Sequence, residues 1–315
     1  MPPPEPAIEA RGLRKQFPGV VAVDGLSFEV NQGEIFGLVG PDGAGKTTTL
    51  RMLAGVLPPD SGSAKVAGFD IVADPEAAKP LISYMPQRFG LYEELTVNEN
   101  IRFYAEVFGI SKQDRINRAP ELLKAAGLGP FGDRRAGQLS GGMKQKLGLV
   151  CALIHTPKVI LLDEPTNGVD PVSRRDFWRL LYDLVGQGVA ILTSTAYLDE
   201  AERCHRVALL HEGRLLFCDT PAELKKNLQG AVLAVVSAQP ERVQQALAGA
   251  EGIKTVVLVG DGLHLVVEDA QRRVEELRKR LTDAAAPFDS IEEVTPTVED
   301  LFVAAVEEEK KKEGR

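Results

Sequence analysis

The chain has 315 residues, with 37 Lys+Arg against 45 Asp+Glu, a formal net charge of −8 and a pI near 5.3. At about 100–200 residues per domain, that length holds two domains or one with an appendage, and 44% hydrophobic with 26% charged residues is a globular mix that excludes a disordered chain. From Pro221 onward 13 Lys+Arg face 18 Asp+Glu, a net of −5, leaving −3 for the first 220 residues; neither part has the basic excess of a nucleic-acid binder.

Residues 1–6, Met-Pro-Pro-Pro-Glu-Pro, carry neither a basic nor an apolar leader pattern and are expected to be a disordered tail. No apolar run approaches the ~20 residues of a membrane span; residues 147–154 come nearest and run into His155, Thr156 and Pro157. Three cysteines, Cys151, Cys204 and Cys218, lack a Cys-x-x-Cys spacing, so neither a disulfide framework nor a zinc ribbon is expected. The expectation is a cytosolic chain.

In chain order, short β-branched runs predict strands at 20–23, 26–30, 34–39, 82–85, 159–163, 189–193, 206–211 and 214–218. Helical patterns fall at 45–54, 97–108, 113–126, 141–155 and 171–184. The alternation predicts a mainly parallel α/β sheet, with residues 88–156 forming a helical subdomain that has no strand. A boundary is expected near Asp219-Thr220-Pro221. Beyond it the pattern restarts: strand 231–237, helix 240–248, a hairpin of 255–259 and 263–268 across Gly260-Asp261-Gly262, helix 270–281, strand 289–294 and helix 298–308. That β-α-β-β-α-β order, with one extra helix, predicts a small ferredoxin-like module over 221–306. The charged run 307–315 reads as a frayed helix end.

Gly40-Pro41-Asp42-Gly43-Ala44-Gly45-Lys46-Thr47 fits G-x-x-x-x-G-K-[ST], a pattern met by chance in roughly one chain in a hundred of this length. The apolar run 35–39 before it and the helical run after it supply the strand–loop–helix context. Such a loop turns backbone N–H groups toward phosphates and adds the positive end of a helix. Lys46 would reach the β/γ-phosphate oxygens and the Thr47 hydroxyl would ligate Mg²⁺; Thr48 completes the loop, and the exposed Asp42 has no catalytic role. Far downstream, residues 159–162 form a buried strand that ends in Asp163 and Glu164. Asp163 is placed to hold Mg²⁺ through its water shell, and Glu164 to polarise an attacking water as general base.

Between these elements, Leu139-Ser140-Gly141-Gly142-Met143-Lys144-Gln145-Lys146 resembles the ABC-transporter signature motif. Gln87, 41 residues after Lys46, stands where that family has its Q-loop; residues 163–170 resemble Walker B running into the D-loop; and Phe17 matches the aromatic that stacks on adenine. The chain is thereby identified as resembling ABC transporter ATP-binding subunits over residues 7–220. The remainder resembles, more loosely, the C-terminal extension of daunorubicin-resistance-type multidrug exporter ATPases, most clearly at residues 295–302.

The resemblance implies a P-loop NTPase fold, ATP and Mg²⁺ as ligands, and two nucleotide domains sandwiching two ATP molecules. Ser140, Gly141 and Gly142 would then meet the γ-phosphate held by the opposite subunit. Gln87 would contact Mg²⁺ and the attacking water and relay the change to separately encoded membrane subunits docked near residues 89–97. The chain would be peripheral on the inner face of the cell membrane, as a homodimer or paired with a second ATPase domain.

Two departures stand out. Met143 replaces the usual Gln, a mark of the drug-exporter branch, and Ala196 occupies the position of the family's switch His. Glu164 is retained, so hydrolysis is expected at a reduced rate. His155, His205, His211 and His264 form no ligand-like cluster, and Cys151, Phe177 and Trp178 read as packing residues. The alternatives are a soluble non-transport ABC ATPase, against which stand one phosphate loop and no coiled-coil insert, and a nucleotide-gated subunit that barely hydrolyses.

Overall fold

The computed structural model describes residues 5–313 apart from 89 and 261, with side chains through residue 310. Residues 1–4, the first residue of the expected docking segment, the middle of the expected C-terminal hairpin turn and residues 314–315 lie outside the described residues. The chain divides into two compact units, Met1–Cys218 and Asp219–Arg315.

The first unit opens with β1 (Ile8–Phe17) and β2 (Val20–Val30). There follow β3 (Ile35–Val39), α1 (Lys46–Leu53), β4 (Ser61–Val66), β5 (Phe69–Asp70), α2 (Pro75–Ala78) and β6 (Ile82–Met85). Then come α3 (Val97–Val107), α4 (Lys112–Ala125), α5 (Gly141–Leu153), β7 (Val159–Asp163), α6 (Pro171–Gly186), β8 (Ala190–Thr195), α7 (Leu198–Ala201), β9 (Arg206–His211) and β10 (Arg214–Asp219). Strands β2-β1-β4-β5 form an antiparallel sheet, and a second sheet has the order β10-β9-β3-β8-β7-β6. Pairs β9/β3, β3/β8, β8/β7 and β7/β6 are parallel. Every residue of β3, β7 and β8 is buried, as strands covered on both faces require.

The strands expected at 82–85, 159–163 and 206–211 have those bounds in the structure. Three local readings are corrected. Residues 20–30 make one strand rather than two, its partner β1 absorbing the irregularity through register shifts around Leu13 and Lys15. Strands β1 and β4 were not anticipated. The expected 298–308 helix runs from Val298 to Glu313, through most of the charged run, with Lys310 and Glu307 paired one turn apart.

Residues 88–156 hold α3, α4 and α5 and, among the described residues, no strand beyond an isolated bridge of Thr96 with Arg135. Thr96 and Glu99 form a capping box at α3, and Ser111 caps α4 through Asp114. The three helices close on their own core, which includes Val97, Ile101, Leu123, Leu147 and Cys151.

The second unit contains α8 (Pro221–Lys226), β11 (Ala231–Val236), α9 (Pro240–Leu247), β12 (Ile253–Val259), β13 (Gly262–Val267), α10 (Ala270–Asp283), β14 (Ser290–Val294) and α11 (Val298–Glu313). Its four strands form an antiparallel sheet in the order β12-β13-β11-β14. Leu233, Val235, Leu263 and Leu265 of the sheet pack with Val243, Leu247, Leu277 and Leu281 of α9 and α10. Among the described residues, no helix is long and apolar enough to cross a membrane.

Candidate nucleotide site

Strand register assembles the site. In the parallel ladder Val39 pairs with Thr195 and Asp163 with Ser194, so β3, β8 and β7 end side by side. Ligands of such sheets bind beyond the carboxyl ends of the strands. The loop after β3, Gly40 to Gly45, turns there into α1, and Gly40 N–H donates to the Thr195 carbonyl at 3.3 Å. Gly45 takes φ +96°, and a Cβ on it would lie 2.3 Å from the Ala22 carbonyl oxygen. Only glycine closes that turn. Pro41, Asp42 and Gly43 are exposed, and the Ala44 N–H returns to the Pro41 carbonyl at 3.2 Å.

Lys46 is buried at 4% exposure, and its ammonium donates to the Gly40 and Pro41 carbonyls at 2.8 and 3.0 Å. The same Nζ lies 3.2 Å from Glu164 Oε1. Thr47 Oγ1 donates to Asp163 Oδ1 at 2.9 Å, and Ser194 Oγ donates to the same oxygen at 2.8 Å. Tyr84, from β6, reaches Asp163 Oδ2 at 3.4 Å. Burial, reinforced by the charge of Asp163, raises the Tyr84 pKa and keeps the phenol a donor. Thr48 is half-buried behind the loop.

Glu164 has φ +47°, a left-handed conformation rare outside glycine, and its N–H is held by the Ser194 carbonyl and hydroxyl at 3.2 and 3.0 Å. That kink turns its carboxylate toward Lys46. Its Oε2 accepts from Gln87 Nε2 at 3.0 Å and from Asn167 Nδ2 at 3.3 Å. The expected group of Lys46, Thr47, Gln87, Asp163 and Glu164 therefore meets in one place. Ser194, Tyr84 and Asn167 were not singled out from sequence; the buried run 190–195 that pairs with residues 159–163 was the available signal for Ser194.

The donor set fits a magnesium nucleotide. Thr47 and Asp163 present hard oxygens side by side, next to a buried ammonium and a glycine-bent helix start. Mg²⁺ is ordinarily held by one or two such side chains together with substrate phosphates. Among the described residues, no group of three or more His, Cys, Asp or Glu forms a metal cage. Phe17, at the end of β1, is 41% exposed, with the Lys15 ammonium over its ring at 6.0 Å from the centroid.

The signature turn is built differently. Ser140 is exposed and caps α5, its hydroxyl accepting from the Met143 N–H at 3.3 Å. A Cβ on Gly141 would meet nothing within 4 Å, whereas one on Gly142 would lie 2.3 Å from Ser173 Cβ, so α5 crosses α6 at glycine distance.

Around Ala196 the chain walls a cavity of 230 Å³ with Asp42, Glu164, Thr166, Asn167 and Tyr197. No described histidine enters it. His205 Nδ1 accepts from the Ile35 N–H at 3.1 Å at the start of β3, and His155 stacks on Phe108 at 3.8 Å, its pKa lowered by burial. His264 pairs with Asp300 at 3.1 Å in the second unit. Cys151 and Cys204 are core residues whose thiols burial pushes up, and Trp178 and Phe177 pack in the core, Trp178 Nε1 donating to the buried Glu200 at 3.3 Å.

Comparison with known proteins agrees with this geometry. The family described as ABC transporter matches residues 23–167. The probable multidrug ABC transporter ATP-binding protein YbhF of Escherichia coli (strain K12) is 44% identical over 301 residues, 94% of this chain and 51% of that protein. The chain thus spans about half the length of this relative. The doxorubicin resistance ATP-binding protein DrrA of Mycobacterium tuberculosis (strain ATCC 25618 / H37Rv) is 35% identical over 306 residues, covering 91% of this chain and 92% of its own. Among solved structures, the dimeric structure of MJ0796, a bacterial ABC transporter cassette, superposes with a TM-score of 0.62 at 25% identity, over 68% of this chain and 98% of that one. Motifs, strand register and a relative covered over 92% of its own length converge on one conclusion: the chain belongs to the ATP-binding proteins of the ABC transporter family.

Proposed function

We propose that this chain binds and hydrolyses ATP as the cytosolic subunit of a multidrug-like ABC exporter, two nucleotide domains closing on ATP to drive separately encoded membrane subunits. The observation that carries the reading is the meeting of Lys46, Thr47, Gln87, Asp163 and Glu164 at the ends of β3, β6 and β7. A triphosphate seated on the Gly40–Thr47 loop competes with Glu164 for the Lys46 ammonium. When Lys46 turns to phosphate, the Glu164 Oε1 that faced it is freed for the attacking water. That oxygen then takes a proton from water as the water oxygen bonds to the γ-phosphorus, and the bond to the bridging oxygen breaks with its electron pair leaving on ADP. Thr47, Asp163 and Gln87 would hold Mg²⁺, which would neutralise charge on the phosphates. Ser194 and Tyr84 fix the Asp163 carboxylate for that task.

The exposed Ser140–Gly141 turn supports a sandwich in which the α5 N-terminus of one copy meets the γ-phosphate held by the other, as homodimer or heterodimer; the MJ0796 cassette is dimeric. Residues 7–220 would form the nucleotide-binding domain and residues 221–306 an accessory domain. The strand order β12-β13-β11-β14, with a helix after the first strand and another after the third, supports a ferredoxin-like reading of the latter. The chain would sit on the inner face of the cell membrane, with drug, lipid and polysaccharide all open as cargo. Ala196, which offers no imidazole to the γ-phosphate, favours a second reading: a nucleotide-gated subunit whose own site turns over slowly beside a competent one.

The test is Mg-ATP turnover of the purified chain against Glu164→Gln. Loss of the general base is expected to lower kcat by about 10²–10⁴-fold with nucleotide affinity retained. Equal turnover in the two proteins, or no binding of Mg-ATP by a folded chain, overturns the proposal.

A further inference from the structure

The cavity beside Ala196 is lined by a polar chain that ends on the Glu164 carboxylate. Tyr197 O–H donates to Asn167 Oδ1 at 3.3 Å, and Asn167 Nδ2 donates to Glu164 Oε2 at 3.3 Å. The tyrosine is itself held in place. Its N–H donates to Thr195 Oγ1 at 3.0 Å, and the Arg174 guanidinium covers its ring at 4.8 Å from the centroid. The Asn167 backbone closes a turn onto the Glu164 carbonyl at 3.2 Å, so its side chain starts beside the carboxylate it serves.

An asparagine amide has one accepting and one donating end. A phenol that donates to Oδ1 fixes which end faces Glu164. With Gln87 Nε2 at 3.0 Å, Asn167 then gives Oε2 two amide donors, which holds the carboxylate with Oε1 facing the Lys46 ammonium at 3.2 Å. From this we infer that Tyr197 is a positioning residue for hydrolysis: through Asn167 it orients the Glu164 carboxylate in the absence of an imidazole at residue 196. The inference rests on the reading of Glu164 as general base, and on the tyrosine's contacts it goes beyond it.

The experiment is a cycle on the full chain. Tyr197→Phe removes one hydrogen bond and little else, since the ring keeps Arg174 above it. A net hydrogen bond of about 0.5–1.5 kcal/mol corresponds to a kcat loss of roughly two- to tenfold. KM for Mg-ATP and the melting temperature should stay as in the wild type. Asn167→Ala should cost at least as much, and in that background Tyr197→Phe should cost nothing further, because the relay is already cut. Ala196→His should raise kcat by a larger factor in Tyr197→Phe than in the wild type. An unchanged kcat in Tyr197→Phe, or an equal fold loss with and without Asn167, overturns the assignment while leaving Glu164 as base. Wild-type turnover no faster than that of Glu164→Gln overturns both together.

Discussion

Lys46 is 4% exposed and tied to two carbonyls and a carboxylate, whereas Ser140 stands in solvent and Gly141 has open space where a side chain would go. The first region is a wall: Asp163, Glu164, Thr47 and Ser194 hold one another in place before any ligand is considered. The second is an exposed helix start capped by Ser140. Buried polar groups keep their hydrogen bonds because desolvation without them costs about 1–3 kcal/mol each. An exposed helix N-terminus carries no such cost and is free to meet an anion. On the proposed function, that difference assigns phosphate affinity to the wall and leaves the turn to a phosphate presented by a second copy.

Lys46→Met strikes the wall and is expected to have the largest effect. It removes charge-assisted bonds to phosphate worth about 1.5–3 kcal/mol each and leaves Glu164 without its cation. Affinity of the single chain for Mg-ATP should fall by roughly a hundredfold, and turnover should vanish with it. Titration with a fluorescent nucleotide reads the first and phosphate release the second. Wild-type affinity in Lys46→Met would place the phosphate elsewhere.

The wall was readable in the sequence and its bracing was not. Strand 159–163 and the loop at Lys46 announce themselves because a buried parallel strand is a continuous apolar run and the loop needs its glycines. Strand β1 escaped because Glu9, Arg11, Arg14 and Lys15 interrupt its apolar residues, and β4 because Ser-Gly-Ser-Ala-Lys-Val is a poor strand former. Each is made a strand by the other, Ile8 pairing with Val66 and Ala10 with Ala64. Ser194 reaches Asp163 across 31 residues of sequence by register alone, and Tyr84 across 79. An apolar run marks the strand that carries Ser194, but not which residue it faces; the sheet must be assembled first.

Gly141→Asp strikes the turn. A Cβ on Gly141 meets nothing within 4 Å, and an acidic residue in the first turn of a helix favours the helix. Folding and single-chain affinity for Mg-ATP should therefore be unchanged or slightly improved. A carboxylate about 5 Å from a phosphate, at an effective dielectric near 20, repels it by about 3 kcal/mol, roughly a hundredfold in the closed pair. The expected signature is normal nucleotide binding with lost ATP-dependent dimerisation, seen by light scattering, and slow turnover. Equal loss of monomer affinity in Gly141→Asp and Lys46→Met would erase the distinction between wall and turn.

The smallest expected effect concerns Gly142, which the signature motif assigns to nucleotide and the structure packs against α6. A methyl group there would sit 2.3 Å from Ser173 Cβ and 2.4 Å from its Oγ, closer than side chains approach. Gly142→Ala must push α5 from α6, at about 1–3 kcal/mol, or a melting point lowered by roughly 5 °C for a unit of this size. Ser173→Gly removes both clashing atoms, so the double variant should melt higher than Gly142→Ala even though a helical glycine costs about 1 kcal/mol by itself. Contact energies of this kind are pairwise, and a phosphate contact is not. If Gly142→Ala slows turnover while its melting point holds and Ser173→Gly gives no rescue, Gly142 serves the ligand, and the wall-and-turn division extends one residue deeper into α5.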